Sequence, residues 1–375
     1  MGSNYTTPVE LPMPPCVLYQ RLCQQLQACV PQLGVWSRRR LALLVTGLLL
    51  ARHTALPRVA AHLRRVTPTA QTDSIERRLR RILAQTEWNT PAIFEGVARA
   101  SLQQLPRGRC VLMLDDTEKT DQCTLSTLAL AYGGRALPLA WCRWSGKLQG
   151  AYWKQIDQLF DQAQRLLPPQ VQPVVLADRG LASPMLVNLV HQRGWDFLLR
   201  VQANTTLRAT QSRSSPRLHL GELVTRPGEP SITRDGWVFS ARPIWAHTAA
   251  VWRAGYQDKW LLVSNLDLGT GLAELYAQRM KVESLFRDAK SGGFEWELSR
   301  VLLPDRAQRL LLGLMLAVLC AVLLGEAAMR AGEIPAYGRR QHAVSLMRRG
   351  LDWLVAPPRP HFFRWTLAPP KTVRI

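Results

Sequence analysis

Acidic residues are scarce in this chain: 27 Asp and Glu stand against 48 Lys and Arg, a formal net charge of +21. Such a field draws polyanions, and nucleic acid is the commonest large one in a cell. The arginines cluster rather than spread, as RRR at 38–40, RR at 64–65 and RRLRR at 77–81. Other things are missing too. The seven cysteines form no CxxC pair, and no histidines gather at metal-ligand spacing. That excludes a zinc site and a disulfide framework, and points to reduced thiols in a cytosolic protein. The opening MGSNYTTPVELPMPP lacks a basic segment followed by an apolar run, so no signal peptide is expected. No apolar run reaches the roughly 20 residues of a membrane span. LALLVTGLLLA (41–51) and LLLGLMLAVLCAVLLG (310–325) therefore read as buried core helices. There is no internal repeat, no low-complexity tract, and no His, Cys or Ser nucleophile with a matching partner. A membrane protein, suggested by the 310–325 run alone, is the most distant reading.

What is present falls into segments. Apolar residues recur at helical spacing through 41–50, 56–66 and 75–101, which predicts an all-helical domain over 1–105. Thr72-Asp73-Ser74 reads as the cap of the helix carrying IERRLRRIL. Its Ile75, Leu79, Ile82 and Leu83 would pack inward. Arg77, Arg78, Arg80 and Arg81 would be left to meet phosphates. From 110 the pattern changes. CVLMLDDT reads as a buried strand ending in two acids, and TLALAYGG and ALPLAWCRW as a hairpin turned by Gly133-Gly134. A helix over 152–167 follows, then the strand PVVLADRG ending in Asp178, then another helix and strand. This order predicts an α/β fold with a mixed sheet, first part 106–202. Residues 203–268, with short strand-like pieces and four tryptophans, read as a β-rich insertion. Residues 269–330 return to the core, and 331–375 form a basic C-terminal segment.

The chemistry concentrates in YAQRMKVESLFRDAKSGGFEWE (276–297), read as one helix. On an ideal helix Tyr276, Arg279, Glu283, Arg287 and Lys290 fall within an arc of roughly 80°. One carboxylate would stand inside a row of phosphate-directed donors. Asp115 or Asp116, with Asp178 and Glu283, would supply the oxygen ligands that suit Mg²⁺. Ions so held activate a water or a 3′-hydroxyl for in-line attack on a phosphodiester. The cations beside Glu283 would hold the DNA backbone in register.

These motifs resemble the DDE transposases of bacterial insertion sequences, in the insertion-sequence-four group with its Tyr-x2-Arg-x3-Glu-x6-Lys signature. That signature is complete as Tyr276, Arg279, Glu283 and Lys290, followed by Gly293-Phe294. LDDT at 114–117 matches the family's first acidic motif, with Asp115 two residues before Thr117, and Ala177-Asp178-Arg179 matches the second. The resemblance implies an RNase-H-like catalytic core with a β-rich insertion, Asp115, Asp178 and Glu283 as catalytic and metal-holding residues, and Mg²⁺, with Mn²⁺ substituting. It further implies cut-and-paste transposition by a homodimer on double-stranded DNA, both element ends and target, in the bacterial cytoplasm at the nucleoid. An insertion tryptophan, Trp252 or Trp260, would stack on a flipped base. The same acids would also serve an RNase-H-like nuclease. A non-catalytic DNA-binding protein derived from a transposase is the other alternative.

Overall fold

The structure is a computed structural model and describes residues 15–103, 105–119, 123–146, 151–212, 214–330 and 344–354. Most of the basic segment at 331–375 lies outside the described residues. The chain divides into two compact units: Leu105–Leu285, and a second that joins Met1–Gln104 to Phe286–Ala368.

The Leu105–Leu285 unit is built on one mixed sheet. β1 (Gly108–Lys119), β2 (Cys123–Tyr132) and β3 (Arg135–Trp144) form an antiparallel meander. The turn between β2 and β3 is Gly133-Gly134, with φ of +53° and +79°. Two successive left-handed residues make the tight turn that matches the strands' twist, and glycine takes that conformation without strain. Helix α6 (Tyr152–Leu166) then leads to β4 (Val171–Ala177), and α7 (Pro184–His191) leads to β5 (Asp196–Arg200). β4 runs parallel to β1, and β5 parallel to β4. Val111, Leu112, Met113 and Leu114 are all buried, as expected of a strand covered on both faces.

The segment read as an insertion does contain strands: β6 (Thr206–Arg208), β7 (Leu218–His219), β8 (Ile232–Val238), β9 (Ile244–Val251) and β10 (Trp260–Ser264). They do not make a separate layer. β10 pairs antiparallel with β5, Val263 opposite Leu199, and the ten strands run β3-β2-β1-β4-β5-β10-β9-β8-β6-β7 in one sheet. β5 would otherwise be an edge with unpaired amides, and β10 covers it. Helix α8 (Gly271–Ala277) packs on β5, β9 and β10. After it comes α9 (Met280–Ala289), within which the boundary between the units falls.

In the second unit the described N-terminal residues are helical, as read from sequence: α1 (Pro15–Cys29), α2 (Val35–Ala51), α3 (Leu56–Leu63), α4 (Thr72–Leu83) and α5 (Thr90–Leu102). They do not stand as a domain of their own, because they share a core with α10 (Pro304–Arg330) and α11 (Leu346–Trp353). α10 packs against α2, α4, α5 and α11. Its 27 residues exceed the apolar run seen in the sequence and are long enough to cross a membrane. Of its most apolar stretch, however, 89% is buried in the protein, so α10 is a core helix. α4 also differs in detail. Thr72 is its first residue and Gln71 its N-cap, with no side-chain cap bond, so Thr72-Asp73-Ser74 lie inside the first turn. There Asp73 sits at the positive end of the helix dipole.

Candidate active site

Strand register brings the first two acids together. The parallel ladder of β1 and β4 ends at Leu114 opposite Ala177, so Asp115 is the next residue on β1 and Asp178 the first beyond β4. β4 stops there. β1 does not: contrary to the expectation of acids at its end, it runs on to Lys119, paired with β2 alone. Asp178 turns the chain by accepting the Gly180 and Leu181 amides on Oδ1, at 2.9 and 3.2 Å.

Alternation along β1 separates Asp115 from Asp116. Asp116 faces α6, where Tyr152 donates its hydroxyl to Oδ2 at 3.0 Å. Its cross-strand neighbour Ser126 accepts the Trp144 indole N–H at 3.1 Å. Burial pushes the Asp116 carboxyl up, against the pull of Ser126 and Tyr152. Burial and the neighbouring Asp116 likewise raise the Tyr152 phenol. Asp115 lies on the opposite face, beside the buried Thr127 hydroxyl, which has no partner among the described residues. Burial raises the Asp115 carboxyl to about 6; Arg279 opposes the rise and Asp178 adds to it.

The third acid arrives on a broken helix. Residues 276–297 are not one helix as read from sequence. α8 ends at Ala277, Gln278 and Arg279 form a turn, and α9 starts at Met280. The Arg279 amide bonds to the Tyr276 carbonyl and the Val282 amide to the Arg279 carbonyl, at 2.9 and 3.0 Å. These bonds span three residues instead of four and tighten the chain at this point. The tightening aims Arg279 at the sheet. Its Nη1 donates to Asp115 Oδ2 and its Nη2 to Glu283 Oε1, both at 2.9 Å. The side chains of Arg279 and Asp115 are 11% and 14% exposed, whereas that of Glu283 is 43% exposed. Asp115 is thus paired inside the protein, and Glu283 keeps one side to solvent. Burial alone would lower the Arg279 pKa, but Tyr276, Asp115, Asp178 and Glu283 together raise it and hold the guanidinium charged.

Tyr276 is buried, with its ring edge-on to Trp260 at 5.3 Å between centroids. Burial lifts its phenol to about 12, while Arg279 and Arg200 pull it down and Asp178 raises it. Trp260 is half-buried and carries Arg253 over its ring at 5.7 Å. Trp252 follows Val251, the strand partner of Trp260, and has its indole N–H on the Tyr256 carbonyl and Lys259 over its ring.

The structure therefore gathers Asp115, Asp178, Tyr276, Arg279, Glu283 and Trp260. Lys290, just past α9, pairs with Glu297 at 3.3 Å, and Arg287 is exposed on α9. On α4, Ile75, Leu79, Ile82 and Leu83 are buried, and Arg77, Arg78, Arg80 and Arg81 are all exposed. Arg80 is partly engaged by Glu76. Sequence reasoning missed Tyr152 and Ser126, which hold Asp116, because no spacing relates them to β1. It also missed Trp36, 67% exposed beneath Arg39 and next to the RRR run that could have pointed to it.

The donor set suits a hard divalent cation: carboxylate oxygens only, with Asp178 adding to the rise that burial gives Asp115. Among the described residues, three such side chains do not converge on one point as they stand. The Arg279 guanidinium lies between two of them.

Residues 153–320 match the family model described as Transposase DDE domain. The match takes in Asp178, Tyr276, Arg279, Glu283 and Lys290, and begins after β1, so Asp115 lies outside it. No curated protein matches the sequence. Among solved structures, the chain is similar to one in the cryo-EM structure of a piggyBac transposase synaptic complex with hairpin DNA. Identity is 10% over 90% of this chain and 77% of that one, with a TM-score of 0.40.

Proposed function

We propose that this chain is a DDE-type DNA transposase, a reading supported by the match of residues 153–320 to the Transposase DDE domain, and that it cuts an insertion element out at its ends and joins it to target DNA, as in the insertion-sequence-four group. Asp115, Asp178 and Glu283 are the catalytic carboxylates, in an RNase-H-like core formed by the β3-β2-β1-β4-β5 half of the sheet. The observation that carries this reading is the meeting of Asp115 with Asp178 at the end of the β1–β4 ladder, with Glu283 tied to the same place through Arg279.

Mg²⁺, or Mn²⁺ in its stead, would be held by those three side chains and would activate the attacking oxygen and stabilise the leaving one. The rest is done by the chain itself. Arg279 binds phosphate with the fork it now presents to carboxylates. Tyr276 walls the acids on one side and keeps water out. Trp260, which adjoins Tyr276, is the tryptophan we assign to stacking on an extruded base; Trp252 is tied to Tyr256 instead. Arg287 and Lys290 add backbone contacts, as do Arg77, Arg78, Arg80 and Arg81. Two copies of the chain act together, one at each element end, in the bacterial cytoplasm.

The test is a labelled duplex carrying the sequence that flanks this gene, with purified protein and Mg²⁺. Metal-dependent nicking followed by joining of the 3′-end to a second duplex is the expected result. Nicking without joining would favour the RNase-H-like nuclease. Binding with no cleavage would leave a DNA-binding protein.

Two further outcomes follow. Asp115 must shed its proton to hold a cation, and its pKa is raised to about 6. Cation affinity is therefore low below that pH and rises as pH passes through it. At subsaturating Mn²⁺, cleavage at pH 5 should be about tenfold below its plateau. More Mn²⁺ should move the rise to lower pH, and a rate that does not change between pH 5 and 7 would contradict the assignment. Replacing Arg77 and Arg78 by alanine should weaken duplex binding whatever the sequence. The slope of log K against log salt should flatten by about 0.9 for each phosphate these arginines neutralise. An unchanged slope would remove α4 from the interface.

A further inference from the structure

Arg279 does more at this site than neutralise a carboxylate. Its two terminal nitrogens go to different acids, Nη1 to Asp115 and Nη2 to Glu283. A planar guanidinium engaged this way separates the two carboxylates by its own width. Among the described residues the three acids do not share one point, and the guanidinium lies between two of them. Asp115 and Asp178 already adjoin through strand register, and Glu283 lies one helical turn beyond Arg279.

We propose that Arg279 is the built-in counter-ion of the Asp115–Asp178–Glu283 site, and that duplex DNA opens this site to a divalent cation by drawing the guanidinium away onto a backbone phosphate. The proposal rests on the transposase reading and adds a rule to it: the cation binds well only where DNA is already bound. Phosphate is a fitting competitor, because it takes the same two-pronged bond from arginine as a carboxylate does. The present bonding of Arg279 is also incomplete, since its Nε is buried with no acceptor among the described residues. The side chain sits on the tightened turn between α8 and α9, away from the regular turns of either helix. Once Arg279 leaves, three carboxylates lack a balancing charge and attract a divalent cation strongly. While it stays, an incoming cation meets a positive charge among its ligands. Linkage then requires that the cation tighten DNA binding by the same factor that DNA tightens cation binding.

Mn²⁺ binding to the full chain, followed by electron paramagnetic resonance, tests this directly. Measurements are made with and without a saturating blunt-ended duplex of mixed sequence, and Asp115→Ala provides the background from ions on the DNA itself. In wild type the duplex should lower the Mn²⁺ Kd by about tenfold or more. Arg279→Gln, free of DNA, should bind Mn²⁺ about as tightly as DNA-bound wild type, and the duplex should change it little. Equal wild-type affinity with and without DNA overturns the proposal, as does an Arg279→Gln affinity no tighter than that of DNA-free wild type. Should Arg279→Gln fail to fold, the wild-type pair of measurements decides alone. If Asp115→Ala binds Mn²⁺ as wild type does, the ion is not at these acids. The catalytic reading then fails, and the proposal with it.

Discussion

Cleavage of an element-end duplex is expected to fall by about 10³-fold or more in Asp115→Ala and in Glu283→Ala, and to stay near wild type in Asp116→Asn. The size follows from what these oxygens are asked to do. Ion-assisted stabilisation of the transition state amounts to several kcal/mol, and each 1.36 kcal/mol is tenfold in rate. The contrast between neighbours follows from β1. Asp115 shares a face with Arg279 and adjoins Asp178, whereas Asp116 points to Tyr152 beneath α6. Asparagine at 116 still accepts the Tyr152 hydroxyl through its side-chain oxygen and removes a charge that burial already disfavours. Melting temperatures for all three variants separate lost chemistry from lost fold. Full activity in Asp115→Ala, with loss in Asp116→Asn, would move the site to the other face of the sheet.

The largest expected effect on stability lies in the other unit. Where α10 crosses α11, Gly325 and Gly350 face each other, and neither has room for a methyl group. A Cβ on Gly350 would sit well inside contact distance of the Ala321 carbonyl, and one on Gly325 would collide with the Leu346 carbonyl. The colliding atoms are backbone, so no rotamer change relieves them, and the helices must move apart. Overpacking typically costs 1–3 kcal/mol, and a rigid backbone clash in a helix crossing should reach the upper end or exceed it. Gly350→Ala should therefore lower stability by about 3 kcal/mol or more, read as a fall in the urea midpoint with an unchanged m-value. As a control, Gly34→Ala meets nothing within 4 Å and should cost far less. A Gly350→Ala midpoint equal to wild type would mean that α11 does not pack on α10 as described.

What could be read in the sequence was what local chemistry determines. The Gly133-Gly134 turn, the strand with its two acids, the ADR motif and the arginine-bearing face of α4 all announce themselves within a dozen residues. The acidic site was legible as residue types in order. It was not legible as geometry, because an ideal helical arc assumed that residues 276–290 wind regularly. The turn at Gln278–Arg279 breaks that arc. It sends Arg279 between Asp115 and Glu283, and leaves Lys290 with Glu297. Likewise, the sheet's continuation from β5 to β10 depends on an edge pairing across more than sixty residues of chain, for which no local pattern exists. The Tyr152–Asp116 contact is of the same kind.

The pairing of α2 with α10 sets an order of events during synthesis. From Leu41 to Leu49 every residue of α2 is buried, and Gly313 of α10 lies against Leu44 and Leu48. α1 and α3 cover part of α2 early, but α10 leaves the ribosome only after the whole sheet unit has been made. At roughly 5–20 residues per second, that interval is on the order of tens of seconds. Through it the nascent chain carries an oily helix that still lacks one of its three chief partners, the situation that invites chaperone capture or aggregation. The protein's yield in a cell is therefore expected to depend on the supply of chaperones acting at the ribosome far more than its finished, well-filled core would suggest.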